Sequence, residues 1–109
     1  MANEFRNRTL TGVGTSATTL YSTPDGKTSI VLELDVANTT SNVVEASVQI
    51  FDTSATTSAY IVKNAPVPAG GSLMVIAGQK IVLEATDIVK VTSTGATDVV
   101  AAILEDVNS

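Results

Sequence analysis

Between Ala59 and Thr92 the chain reads AYIVKNAPVPAGGSLMVIAGQKIVLEATDIVKVT, short β-branched runs broken by Pro-Val-Pro-Ala-Gly-Gly and by Ala77-Gly78. That is the grammar of strand, turn, strand, turn, strand. Similar runs cover the rest of the chain at roughly ten-residue spacing, the signature of a sandwich or small barrel. Expected strands are 5–11, 18–23, from Thr28 onward, 44–51, 60–64, 72–76, 80–84, 87–92 and 99–105. No stretch reads as a helix. The continuous run Val99 to Leu104 (VVAAIL) reads as a buried strand, because Gly95 precedes it and β-branched valine opens it.

Alternation gives the facing of two strands. Ile30, Leu32, Leu34 and Val36 alternate with Val31, Glu33, Asp35 and Ala37, which sets the first row inward. Val44, Ala46, Val48 and Ile50 form a second inward row, and Asn38-Thr39-Thr40-Ser41-Asn42 reads as the hairpin turn between the two strands. Pro24-Asp25-Gly26 closes another tight turn. Gly12-Val13-Gly14 suits a bulge or corner, since no Lys-Ser/Thr pair or helix follows to make a phosphate loop. Pro66-Val67-Pro68 cannot donate ladder hydrogen bonds at either proline, so it belongs to an edge strand or a crossing between sheets. The expected fold is all-β, a single jelly-roll-like β-sandwich of eight or nine short antiparallel strands. Residues 1–10 form an N-terminal arm and first strand, and 11–109 form the sandwich domain.

Composition narrows the chemistry. The 109 residues include no Cys, His or Trp. Thiolate and imidazole catalysis and the preferred zinc ligands are therefore excluded, and no cofactor or enzymatic activity is expected. A net charge of -5 and six scattered basic residues argue against nucleic acid as a partner. The opening residues have no apolar segment of signal-peptide type, and no apolar run approaches the ~20 residues that span a bilayer, so a chain made in a cytoplasm and kept there or carried out inside a larger particle, with no membrane association, is expected. With Tyr21, Tyr60, Phe5 and Phe51 as the whole aromatic set, the stacking platforms of sugar-binding modules are scarce.

The acids are the remaining chemistry. Glu33 and Asp35 share one strand face with Glu45 on a neighbour, yet acids on a solvated sheet face ordinarily serve solubility and edge protection. A calcium loop would cluster oxygen ligands in a turn. Asp25 and Asp87 read as turn formers, and Lys63, Lys80 and Lys90 as blunting strand edges.

Three stretches carry a family resemblance: Asn64-Ala65-Pro66-Val67-Pro68-Ala69-Gly70-Gly71-Ser72-Leu73, Ile81 to Val91 (IVLEATDIVKV), and Leu20-Tyr21-Ser22-Thr23-Pro24-Asp25-Gly26-Lys27-Thr28, with Ala37-Asn38-Thr39 alongside. In these the chain resembles small all-β virion structural proteins of tailed bacteriophages, of the capsid decoration or cement type. The resemblance implies a structural role on the capsid exterior, the major capsid protein as partner, and self-association, often as a homotrimer. Neck, tail or baseplate placement is the alternative, and a host-glycan-binding module is an alternative of another class. Met1 to Arg8 would then be a docking strap, with Phe5, Arg6 and Arg8 touching the capsid.

Overall fold

The computed structural model describes residues 3–107. It contains eight strands: β1 (Glu4–Val13), β2 (Thr18–Ser22), β3 (Ser29–Asn38), β4 (Val44–Asp52), β5 (Thr57–Val67), β6 (Ser72–Leu83), β7 (Ile88–Ser93) and β8 (Thr97–Glu105). They make two antiparallel sheets, ordered β1-β8-β3-β6 and β2-β7-β4-β5. The pairs β1·β8, β2·β7, β3·β6 and β4·β5 are those of one long hairpin folded over on itself, with its tip at the 53–56 turn. Rolling that hairpin brings β3 against β8 and β4 against β7, which completes both sheets. The result is a jelly roll.

Aliphatic side chains from both inner faces fill the space between the sheets. Leu34, Val36, Ile76, Val99 and Ile103 of the first sheet meet Ala46, Val48, Val67, Val89 and Val91 of the second, all essentially inaccessible to solvent. β-branched residues dominate because they fit a pleated, half-buried surface with little loss of rotamer freedom.

Residues 38–42 do not make the expected hairpin. β3 and β4 lie in different sheets, so this segment crosses the sandwich. Each strand has a single apolar row, and burying two such rows needs facing sheets rather than neighbouring strands. Asn38 holds the crossing: its Nδ2 donates to the carbonyls of Asn42 (2.6 Å) and Val67 (3.0 Å), and its Oδ1 accepts from the Thr40 backbone and hydroxyl, both at 2.8 Å.

The expected turn at Ala77-Gly78 is also absent. β6 runs unbroken from Ser72 to Leu83, with Gly78 at φ +92° inside a bulge whose residues 78–80 have no partner on β3. Glycine marks a bulge there because only it takes that backbone without strain.

Alternation on β3 is correct from Leu34 to Asn38 and inverted before it. Both neighbours slip register between Val31 and Glu33, which leaves Leu32 as an inserted residue. Val31 and Ser29 therefore point inward, and Ile30 points out. On β8 Thr97, Val99, Ala101 and Ile103 are buried, while Val100 and Ala102 face solvent.

The proline segment does both things its chemistry allows. Pro66 sits in β5, the edge strand of the second sheet, opposite Glu45, and the following residues carry the chain to β6, the edge strand of the first. Asp25 and Asp87 lie in turns as expected: the Lys27 N–H reaches the Pro24 carbonyl (3.2 Å), and the Asp87 N–H reaches that of Glu84 (3.0 Å).

Candidate functional site

Cross-strand partners share a face, so register maps the outer surface of the β1-β8-β3-β6 sheet. Phe5 pairs with Leu104, Leu104 with Ile30, and Ile30 with Val82, giving one apolar row across all four strands. A second row runs Asn7, Ala102, Glu33, Ala77, and a third runs Thr9, Val100, Asp35, Met74. Phe5 (77% exposed), Met74 (68%), Val82 (60%) and Val100 (52%) stand in solvent on this one face. Contiguous apolar surface of this kind marks an interaction site more often than scattered single residues do.

Two carboxylates interrupt it, Glu33 and Asp35, side by side on β3. The adjacent Asp35 carboxyl, first by hydrogen bonding and then by charge repulsion, holds Glu33 above the usual carboxylate range. Asp35 Oδ1 is buried without a hydrogen-bond partner.

The segment read as a strap is, from Glu4 onward, the edge strand of this sheet, and Met1 and Ala2 lie outside the described residues. Phe5, Arg6 and Arg8 do not form one patch. Phe5 belongs to the outer face, whereas Arg6 and Arg8 pair with the inward-facing Ile103 and Ala101. Arg6 bonds Glu4 Oε1 (2.6 Å) and Glu105 Oε1 (3.4 Å), with Glu4 chiefly raising its pKa. Arg8 lies 5.4 Å from the centroid of the Tyr21 ring, a cation–π contact.

Beneath them lies a polar knot that sequence reading missed. The Tyr21 hydroxyl donates to Glu105 Oε2 (2.5 Å) and is 2.9 Å from Ser29 Oγ. Burial, with the Glu105 hydrogen bond second, pushes the Tyr21 phenol up to about 12. With Tyr21 and Ser29 buried, the knot ties β2 to β3 and β8 across the sandwich.

Asp52, Glu84 and Asp87 bring carboxylate oxygens within 4.8 Å of one another. Two of these acids already close turns. Asp87 accepts from the backbones of Thr53 (3.1 Å) and Glu84 (3.0 Å), and Asp52 from the Ser54 hydroxyl (2.8 Å) and the Ala55 backbone (3.3 Å).

The second sheet carries a shallow groove of about 170 Å³ lined by Thr15, Glu45, Ser47, Asn64, Thr92 and Thr94 together with Ser93. Of the two tyrosines weighed as sugar platforms, Tyr21 is 2% exposed and closed to a ligand, while Tyr60 is 51% exposed with Lys63 Nζ 5.2 Å from its ring centroid.

No family model, no curated protein and no solved structure matches the chain.

Proposed function

We propose that this chain is a structural protein of a tailed-bacteriophage particle, a decoration protein seated on the outer surface of the assembled major capsid protein. The observation that carries the reading is the apolar outer face of the β1-β8-β3-β6 sheet, presented on a closed, aliphatic-packed sandwich. A jelly roll hosts many functions, so the fold does not choose among them. The face does favour one class, since an exposed apolar sheet surface is made for protein contact. The resemblance carried by Asn64 to Leu73 and Ile81 to Val91 then points to the virion. A protein that binds only the assembled shell stabilises it by mass action. Homotrimers at local symmetry axes would match the symmetry of such a lattice.

The test is copy number and placement. Purified virions should carry the protein in amounts comparable to the major capsid protein, and a cryo-EM map should show it on the head exterior. A few copies at the neck, tail or baseplate would replace this reading with the alternative structural one. A second reading rests on the hydroxyl-lined groove of the other sheet, where Glu45, Ser47 and Asn64 offer hydrogen-bonding groups to a host glycan. Glycan-array binding that disappears in Ser47→Ala or Tyr60→Ala would favour it.

A further inference from the structure

We infer that the outer face of the β1-β8-β3-β6 sheet docks a different protein, one that places a lysine or arginine inside an apolar patch, and that it does not dock a second copy of this chain. The inference rests on the proposed role in the particle and names the chemistry of the contacted surface.

The apolar row Phe5, Leu104, Ile30, Val82, with Val100 and Met74 beyond it, is the part of this face that gains from removal from water. Specific interfaces bury about 800 Å² per partner, and such a patch must lie largely inside the contact. Glu33 and Asp35 would then be enclosed with it, since the register sets Glu33 between Ala102 and Ala77 and Asp35 between Val100 and Met74. A carboxylate enclosed without a counter-ion is strongly disfavoured, because nothing replaces the water it loses. The basic residues of these four strands are Arg6, Arg8 and Lys80. Both arginines stand in register with inward-facing residues, and Lys80 lies in the unpaired 78–80 bulge. Among the described residues no ion pair involves Glu33 or Asp35.

A second copy laid on this face brings the same two acids with at most one cation, Lys80 at the edge strand, so acids outnumber bases. In a two-fold contact four carboxylates would be enclosed together, on a chain whose net charge is already -5. A partner guanidinium or ammonium instead bridges Glu33 and Asp35 and relieves their mutual repulsion.

The test uses the intact protein and particles of its own phage prepared without it. Binding is measured for the native chain, for Glu33→Lys/Asp35→Lys, and for Asp25→Lys/Glu84→Lys, which carries the same net charge but leaves this face untouched. Hydroxyl-radical oxidation of Met74 is followed on the free and the bound native protein. The expected result is binding weakened about tenfold or more, equivalent to about 1.4 kcal/mol, in the first variant alone, with Met74 protected on the particle. Particles that bind both variants like the native chain, or that leave Met74 as reactive as in the free protein, overturn the inference and leave the proposed function standing. Met74 protected in the particle-free protein at concentrations where sedimentation shows an oligomer also overturns it, because a second copy then covers the face. Failure of the native chain to bind particles at all removes the proposed function and the inference together.

Discussion

Replacing Tyr21 by phenylalanine removes one oxygen atom from the interior and leaves the ring's packing in place. That oxygen makes two hydrogen bonds, at 2.9 Å to Ser29 and 2.5 Å to Glu105. Ser29 is fully buried, so its hydroxyl is stranded at a cost of about 1–3 kcal/mol, and the lost bond to a carboxylate is worth about 1.5–3 kcal/mol. Part is offset because the phenol no longer has to be stripped of water. The Glu105 carboxylate also keeps Arg6 Nε at 3.4 Å. The net loss should be about 2–3 kcal/mol, and at about 4–8 °C per kcal/mol for a chain near this size the melting temperature should fall by about 10–20 °C. The pH dependence isolates the hydroxyl. Burial raises the Tyr21 pKa from 10.0 to about 12, so the native state holds the phenolic proton more tightly than the unfolded chain does. The resulting stabilisation is complete below the unfolded value and disappears as pH rises through the native one. Urea unfolding of both proteins between about pH 8 and pH 11.5 should show the stability gap narrowing as pH rises. A gap that stays constant over that range, or one below about 0.5 kcal/mol at neutral pH, refutes the reasoning.

Three further substitutions probe the sandwich. Leu34→Ala, at the centre of β3 with no solvent exposure, should cost about 3–4 kcal/mol in chemical unfolding, with an unchanged denaturant slope. In Gly95→Ala the new Cβ falls 2.6 Å from Val44 Cγ1, which predicts a loss of about 1–3 kcal/mol. The double variant with Val44→Ala should be more stable than the sum of the two single losses, and strict additivity would show that the clash is relieved elsewhere. Gly78→Ala meets no neighbouring atom but must adopt φ +92°, so a melting-temperature loss corresponding to about 1–2 kcal/mol should come from backbone strain alone.

How far the fold was legible depended on whether the deciding contacts were local. On β4 the alternation Val44, Ala46, Val48 predicts the buried face directly, because the register shifts against β5 place their extra residues on β5 and leave β4 without an insertion. The Pro24-Asp25-Gly26 turn and the Pro66 edge position are equally local, since proline and glycine impose their geometry wherever they stand. The 38–42 crossing and the unbroken β6 were not legible. Whether a polar five-residue segment reverses a strand within a sheet or carries it across to the other depends on which distant strand pairs with it, and β3 pairs with β6 and β8. Gly78 marks a bulge rather than a turn for the same reason: β3 continues alongside on both sides of it. For the site, Phe5 could be read as exposed because it stands among polar residues. The rest of the face could not be found, since Leu104, Ile30 and Val82 become neighbours only through the register of three strand pairs. The contacts of Arg6 with Glu105 and of Arg8 with Tyr21 are equally hidden, since these partners are far away in sequence.

Leu32 connects the interior to the surface. Without an inserted residue, the inward set Leu34 and Val36 would continue back through Leu32 to Ile30, and Ser29 would face solvent. The slip between Val31 and Glu33 reverses that half of the strand and leaves Glu33 and Asp35 on the outside. Two consequences follow from one residue. Ser29 turns inward to meet the Tyr21 hydroxyl, closing the knot with Glu105. Ile30 turns outward between Leu104 and Val82, completing the apolar row that begins at Phe5. A half-strand of strict alternation would bury Ile30 and leave that row broken at its centre. The bulge therefore exchanges a buried isoleucine for a buried serine, which an aliphatic core tolerates because Tyr21 satisfies the hydroxyl. The isoleucine that the core gives up lies half-buried on the outer face, between Leu104 and Val82, where a partner surface would complete its burial.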